Sequence, residues 1–226
     1  MNLCIIPARS GSLRLKNKNI KIFKKKPAIY YPIKTAIKSK IFDKVMVSTN
    51  SEKIKKISIL AGAEVPYLRS EKLSNSKAII IDVIKDVIKY YEKKKINFNN
   101  ICCIYPTSLF LDVKIIKSSH REFKKSKKKY LVSAHKFESF IEKGFKVQND
   151  KIVPIFKKYK NKNSNNIASS FYDAGQFLWG KSKAFKKRDN IFSNNGSIFL
   201  LDNPKYIDIN TLDDWKKAIR NSKIFK

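Results

Sequence analysis

Acidic residues are scarce: 18 Asp and Glu stand against 50 Lys and Arg, giving a formal net charge of +32. The excess is almost all lysine, runs from Lys16 to Lys226, and sits among abundant Asn and Ile, as an AT-rich coding sequence would produce through its codons. A nucleic-acid footprint gathers arginine and exposed aromatics on one face, and no RNP, helix-turn-helix or zinc-finger pattern occurs. Genome bias is the first explanation and a basic nucleic-acid-binding protein the alternative; no specific nucleic-acid partner is expected, only salt-sensitive affinity for polyanions. Long apolar runs are missing too, none approaching the roughly 18 residues of a membrane span. The opening MNLCIIPARSG has no basic segment followed by an apolar stretch and a small-residue cleavage site, so no membrane contact and a cytoplasmic location are expected. The three cysteines, Cys4, Cys102 and Cys103, lie in apolar runs. Neighbours on a strand point to opposite faces, which argues against a Cys102–Cys103 disulfide and for packing. His120 and His135 have no partner at metal-ligand spacing, which argues against a histidine metal site.

What is present is an alternation of short β-type runs with helical patterns. At 226 residues and 42% hydrophobic, the chain suits one domain, 1–226, with a sizeable core. Strands are expected at 3–8, 44–49, 64–68, 100–106 and 130–135, and helices at 27–39, 51–61, 77–93 and 112–124. Within 77–93, Ile80, Ile81, Ile84, Val87, Ile88 and Tyr91 form one stripe for the core. Strands apolar throughout and separated by helices imply an α/β fold, with a mostly parallel sheet covered on both faces. The pattern breaks at about Lys136. Residues 136–170 read as an irregular arm or flap, with a hairpin in GFKVQNDKIVPIF turning at Asn149-Asp150. A strand follows at 171–180, in which Phe171, Phe177 and Trp179 read as core. YIDINTLDDW (206–215) reads as a strand end entering a helix, with Thr211 as N-cap and Asp214 completing a capping box.

The first strand runs into IIPARSGSLRLKNKN (5–19), and in open α/β sheets ligands bind outside the carboxyl ends of the strands. Neither GxGxxG nor GxxxxGK[ST] is there, since the loop holds only Gly11. It offers Gly11 for close backbone approach, the Ser10 and Ser12 hydroxyls, and Arg9, Arg14, Lys16 and Lys18 as cations. Such a set suits a triphosphate whose charge must be neutralised before an inner phosphorus is attacked; a solvated basic loop is the other reading.

PARSGSLRLKNKN resembles the N-terminal signature of the CMP-sugar synthetases (acylneuraminate cytidylyltransferases), approximately PAR-x-GSKR-x-P-x-KN. GAEVPYLRSEKLS (62–74), DKVMVSTN (43–50) and YIDINTLDDW are similar to later segments of that family. CCIYPTSLFL (102–111) and FYDAGQFLWG (171–180) most resemble its pseudaminic acid cytidylyltransferase subgroup. The resemblance covers most of the chain, most weakly at 136–170. It implies a Rossmann-like, GT-A-like nucleotidyltransferase fold, a homodimer through an arm in the second half, and Mg²⁺ as cofactor. It implies a CTP-dependent reaction with a nonulosonic acid sugar, pseudaminate first, N-acetylneuraminate, legionaminate or KDO as alternatives, yielding the CMP-sugar and pyrophosphate. It places Ala8, Arg9, Ser10, Gly11, Ser12, Lys18, Asn19 and Arg69 at the nucleotide, with Arg9, Lys18 and Asp208 in catalysis. It places Tyr105, Pro106 and Thr107 at sugar and nucleotide contacts, Asp173 and Gln176 facing the sugar acid, and Asp208 with Asn210 at the metal. For Arg69 a surface ion pair with Glu71 is the plainer alternative, and Asp213 and Asp214 read as helix-start residues.

Three positions depart from the pattern. The family DxD is Asp208-Ile209-Asn210 here, so one expected anionic ligand is a neutral amide. The lysine after Gly-Ser is Leu13, and Lys16 stands where proline is usual, from where it could restore the lost charge. Tyr172 replaces the histidine before Asp173, so a general base there would not be an imidazole. The fold expectation is untouched, while a weaker metal site, or a catalytically weak or silent nucleotide-binding relative, becomes an alternative.

Overall fold

The computed structural model describes residues 1–12 and 14–224, so Leu13 lies outside the described residues. Among these, six strands form the main sheet: β1 (Asn2–Pro7), β4 (Lys44–Ser48), β5 (Asn100–Ile104), β6 (Tyr130–Lys136), β9 (Phe171–Lys181) and β10 (Gly196–Leu200), in the order β10-β6-β9-β5-β1-β4. β1 pairs in parallel with β4 and β5, and β10 pairs in parallel with β6. β9 alone runs antiparallel, between β5 and β6. Between them lie two short hairpins, β2 (Ile22–Phe23) with β3 (Lys26–Pro27) and β7 (Phe145–Gln148) with β8 (Lys151–Pro154).

Strand alternation divides the core. Cys4, Ile6, Cys102 and Ile104 face α1 (Tyr30–Ser39), α2 (Glu52–Leu60) and α4 (Val113–Lys125) through Ile33, Ile54, Ile116 and Phe123. Leu3, Ile5, Ile101 and Cys103 face α3 (Ile80–Lys93) and α5 (Ser182–Lys187) through Ile84, Val87, Ile88 and Phe185. Cys102 and Cys103 therefore sit in different clusters, both as buried thiols. A third cluster, Leu15, Phe23, Ile209 and Trp215, seats α6 (Leu212–Ile224) against the loop after β1.

Side-chain caps set three of the helix starts. Asp112 accepts from the Ile115 N–H at 2.8 Å and Ser51 from the Ile54 N–H at 3.4 Å. At α6, Asp214 Oδ2 accepts from the Thr211 N–H at 2.7 Å while Thr211 Oγ1 accepts from the Asp214 N–H at 3.2 Å, the reciprocal box expected from sequence.

Several expectations need correction. Residues 64–68 make a single bridge, Met46 to Glu64, because Pro66 has no N–H with which to extend a ladder. Residues 206–210 form no strand, and α1 begins at Tyr30 because Pro27 belongs to the β2–β3 hairpin. In the α3 stripe Val83 is buried, whereas Ile81 is only half-buried. Phe171 is 42% exposed, while Phe177 and Trp179 are buried as expected. The five-residue edge strand β10 and the short α5 have too little periodicity to stand out in the sequence. The hairpin in the arm is where expected, with Asn149 (φ 48°) and Asp150 (φ 59°) both in the left-handed region that a primed turn requires.

Candidate active site

A cavity of about 660 Å³ opens where β1 and β5 end, a size that suits a nucleotide. The reversed direction of β9 brings its first half to this same end. There β9 bulges: Val132 pairs with Leu178 but Ala134 pairs with Asp173, so the β9 residues between face Ser133 alone. Ser133 Oγ receives the N–H groups of Gln176 (3.2 Å) and Phe177 (3.0 Å) that the bulge would otherwise strand. Gly175 adopts φ +60° within it, and a Cβ there would lie 2.7 Å from Asp208 Cγ. Only glycine lets the two segments approach this closely, so Asp173 and Asp208 both line the pocket.

The segment carrying Asp208 has no ladder and is held by side chains instead. His135 sets Nδ1 2.6 Å from the Leu201 carbonyl oxygen and Nε2 2.8 Å from that of Tyr206. Gln176 donates to the Ile207 carbonyl at 3.1 Å and Lys18 to that of Ile209 at 2.8 Å.

Four cations line the pocket, Arg9, Arg14, Lys18 and Arg69, against two carboxylates. Arg9 donates to the Asn75 carbonyl and accepts at its own carbonyl from Asn19 Nδ2 at 2.9 Å, which ties the loop after β1 to the 70–78 wall. Asn19 is 4% exposed and lines the pocket, and among the described residues its buried Oδ1 has no hydrogen-bond donor. Burial pulls the Lys18 ammonium below the usual lysine range, partly offset by Asp208, with Arg14 and Arg9 adding to the fall. Arg69 is 5% exposed and donates to Ser74 Oγ at 3.2 Å, so it is a buried pocket group and not the surface partner of Glu71. Burial and the neighbouring Arg9 bring its pKa down to about 10. The Asp173 carboxyl is raised, first by burial and then by Asp208, with the Gly175 N–H at 2.8 Å opposing. Burial also pushes the Tyr105 phenol far above its ordinary value.

Of the residues picked out by sequence, Arg9, Ser12, Lys18, Asn19, Arg69, Tyr105, Pro106, Thr107, Asp173, Asp208 and Asn210 come together here. Others do not. Ala8 is fully buried and donates its N–H to the Ser48 carbonyl at 2.9 Å. Ser10 is exposed and bonded to Asn50; exposed Gly11 has open space where a Cβ would stand. Gln176 is 1% exposed, and its amide donates to Ala174 (2.9 Å) and Ile207, so it braces the bulge and does not meet a sugar. Lys16 is exposed and outside the lining, so Arg14, not Lys16, brings the extra charge. Tyr172 is exposed and packs on Phe137 at 4.8 Å, away from the pocket. Asn210 turns its Oδ1 to Arg14 Nη2 at 2.8 Å, which engages the oxygen expected to hold metal. Sequence reasoning missed Gly175, which a lone glycine inside a strand pattern could have flagged, and the Leu73, Asn75 and Ile80 wall, for which the sequence carries no signal.

A cationic pocket at the carboxyl ends of a mostly parallel sheet, with carboxylates at one side, defines an α/β nucleotide-handling enzyme. The profile of the Cytidylyltransferase family matches residues 3–195, and the chain belongs to that family. It is 36% identical over 219 residues to the pseudaminic acid cytidylyltransferase of Campylobacter jejuni, spanning 96% of this chain and 94% of that protein. The N-acylneuraminate cytidylyltransferase of Escherichia coli is 38% identical over 110 residues, 49% of this chain and 25% of that one. Among solved structures, a CMP:2-keto-3-deoxy-manno-octonic acid synthetase complexed with CTP superposes with a TM-score of 0.73 over 99% of this chain and 98% of its own, at 13% identity, a likeness of fold. Among the described residues no helix is long and apolar enough to cross a membrane.

Proposed function

We propose that the protein transfers the cytidylyl group of CTP to pseudaminic acid, giving CMP-pseudaminic acid and pyrophosphate. The carrying observation is the pocket itself: four cations around a cavity of nucleotide size, with two carboxylates facing them. The anomeric hydroxyl attacks the α-phosphorus, the bond from that phosphorus to the bridging oxygen breaks, and pyrophosphate leaves while the hydroxyl gives up its proton to solvent. Arg9 and Lys18 sit on the loop after β1, where they stabilise the charge that builds on the leaving group. Arg69 and the unpartnered Asn19 oxygen would take the cytidine side, the latter receiving a nucleoside hydroxyl or amino donor. Tyr105, Thr107 and Asp173 face the remaining space and would hold the sugar acid.

Cytidylyltransferases of this kind generally use a divalent metal. Among the described residues no group of three or more His, Cys, Asp or Glu side chains could hold one alone. The donor set still fits Mg²⁺, which is usually bound by one or two carboxylates plus substrate phosphates. Asp208, with Asp173 across Gly175, would hold it, and the bound ion would polarise the α-phosphate.

Residues 1–226 are read as one catalytic domain, and the arm within 136–170 as its dimerisation element. Phe145 pairs with Pro154 and Val147 with Ile152, so one face of the hairpin is apolar throughout, and Phe145, Val147 and Ile152 are 60%, 67% and 69% exposed. A second copy of the same face would cover it. A cytoplasmic location agrees with three buried cysteines left as thiols.

Pyrophosphate release tests this. Purified protein with Mg²⁺ and CTP is given pseudaminate, N-acetylneuraminate, legionaminate and KDO in parallel, with the other nucleotides as controls. Release with CTP and pseudaminate is expected; release with a different sugar acid moves the substrate assignment. CTP binding without release from any sugar would make the chain a nucleotide-binding relative.

A further inference from the structure

We infer that Asn210 is not a metal ligand but a positioning residue, which aims the guanidinium of Arg14, one of the cations of the loop after β1, at the phosphates of the nucleotide. The inference rests on the cytidylyltransferase reading.

Three contacts fix Asn210. Its backbone N–H donates to Asp214 Oδ2 at 2.9 Å, its Nδ2 donates to Asp208 Oδ2 at 2.6 Å, and its Oδ1 accepts from Arg14 Nη2 at 2.8 Å. A carboxamide is suited to this place because it can accept from a cation on one side and donate to an anion on the other. A carboxylate at 210 could meet Arg14 but not donate to Asp208, and would stand beside another carboxylate with like-charge repulsion. It would also cancel the charge of Arg14 in a closed ion pair. The neutral amide orients Arg14 without cancelling its charge, and it sets a donor rather than a second carboxylate beside Asp208.

Arg14 spends one N–H on Asn210, lines the cavity with Arg9 and Lys18, and is exposed on the solvent side. Among the described residues the other guanidinium donors make no hydrogen bond, and arginine's planar fork suits the engagement of phosphate oxygens. The departure from an acidic pair at 208 and 210 therefore reads as an exchange. One anionic metal ligand is given up and one oriented cation is gained on the same substrate charge. An amide oxygen already engaged by a guanidinium is a poor site for a divalent cation, since the metal would have to settle beside that charge.

The experiment separates nucleotide from metal. CTP binding is measured calorimetrically in Mg²⁺ without sugar, and Mn²⁺ binding by electron paramagnetic resonance with each protein in excess over CTP, so that the substrate phosphates that complete the ligand set are present. The proteins are wild type, Arg14→Ala, Asn210→Ala, the double variant and Asp208→Ala. Arg14→Ala is expected to weaken CTP by about tenfold or more, and Asn210→Ala by a comparable factor. The double variant should be no weaker than Arg14→Ala alone, because both remove one interaction. Asn210→Ala should keep Mn²⁺ affinity within about twofold of wild type while Asp208→Ala loses it, the twofold margin being well inside the tenfold effect of a lost ligand. Loss of Mn²⁺ in Asn210→Ala as large as in Asp208→Ala, or additive losses of CTP affinity, would overturn the inference. A wild type that binds no CTP would instead undo the cytidylyltransferase reading on which it rests.

Discussion

In β1, Leu3, Cys4, Ile5 and Ile6 are all fully buried, alternating between the two helical layers. In β7 and β8, Phe145, Val147 and Ile152 alternate as regularly and stand open to solvent. In both regions side chains alternate between the two faces, but β1 is apolar on both faces and covered on both, whereas the hairpin is apolar on one face and carries Lys146, Gln148 and Lys151 on the other. Burying three such side chains is worth about 1.5–3 kcal/mol each; the body collects that stabilisation within the chain and the arm does not, which is the basis of the proposed dimer. The pocket belongs wholly to the body, since no arm residue lines it. Chemistry and assembly should therefore be separable by mutation.

The largest effect belongs to the body. Lys18→Ala removes the ammonium fixed to the Ile209 carbonyl, and Arg9→Ala the guanidinium that ties loop to wall. Each should lower kcat/KM by about 10²–10³ in steady-state pyrophosphate release, the range for losing a group that stabilises developing charge. A fall below tenfold would mean the pocket is not where the charge builds. The arm comes next. If the arm is the proposed dimerisation element, wild type is a dimer by light scattering and the double change Val147→Lys and Ile152→Lys should make it a monomer, with the dissociation constant raised at least about a hundredfold. CTP affinity should stay within about threefold, a bound below one hydrogen bond's worth. If CTP binding collapsed as well, the two regions would not be independent.

Gly175→Ala sharpens the comparison inside the sheet. Its φ of +60° costs an L-residue about 1–2 kcal/mol, and the new Cβ would press on Asp208 from 2.7 Å. At about 2–4 °C per kcal/mol for a chain of this size, the melting temperature should fall by several degrees. Turnover should fall by more than the stability loss explains, since Asp208 must move. An unchanged kcat would show that Asp208 tolerates displacement and is not held for catalysis.

These regions were not equally legible from sequence. Strands β1, β4, β5 and β6 announce themselves because unbroken apolar runs have few alternatives to a two-sided sheet. The arm's hairpin was visible for a different reason: Asn149-Asp150 is a local turn signal that needs no tertiary partner. Residues 206–210 were expected to be a strand end and are not, since the order of this segment comes from His135, Gln176 and Lys18 reaching across from distant positions, and such contacts leave no period in the chain. The same limit explains the candidate site. Arg9, Lys18 and Asp208 could be found from a local motif, but whether Gln176 faces a ligand or a backbone carbonyl depends on a bulge that only the folded β9 shows. Arg14 and Lys16 are chemically close and two residues apart; a loop conformation, not composition, puts one in the pocket and the other in solvent.

The smallest effect tests whether the capping box at α6 supports the pocket or merely ends a loop. Burial alone would raise the Asp214 carboxyl, but the N–H groups of Asn210 and Thr211 and the Thr211 hydroxyl outweigh it, and its pKa lies below the ordinary carboxylate value. A folded-state pKa lower than the unfolded one means a contribution present at neutral pH and lost as pH falls through the folded value. Asp214→Ala should therefore cost about 1 kcal/mol at neutral pH, the usual worth of a cap, and the gap from wild type in urea midpoints should close as the pH drops below the ordinary carboxylate range. Because Asp214 also receives the Asn210 N–H at 2.9 Å, the same variant should loosen the Arg14 clamp and weaken CTP, though by less than Asn210→Ala does. A variant that lost stability at every pH alike would show that Asp214 acts through packing, and its ionised carboxylate would then have no part in orienting the loop that carries Asp208.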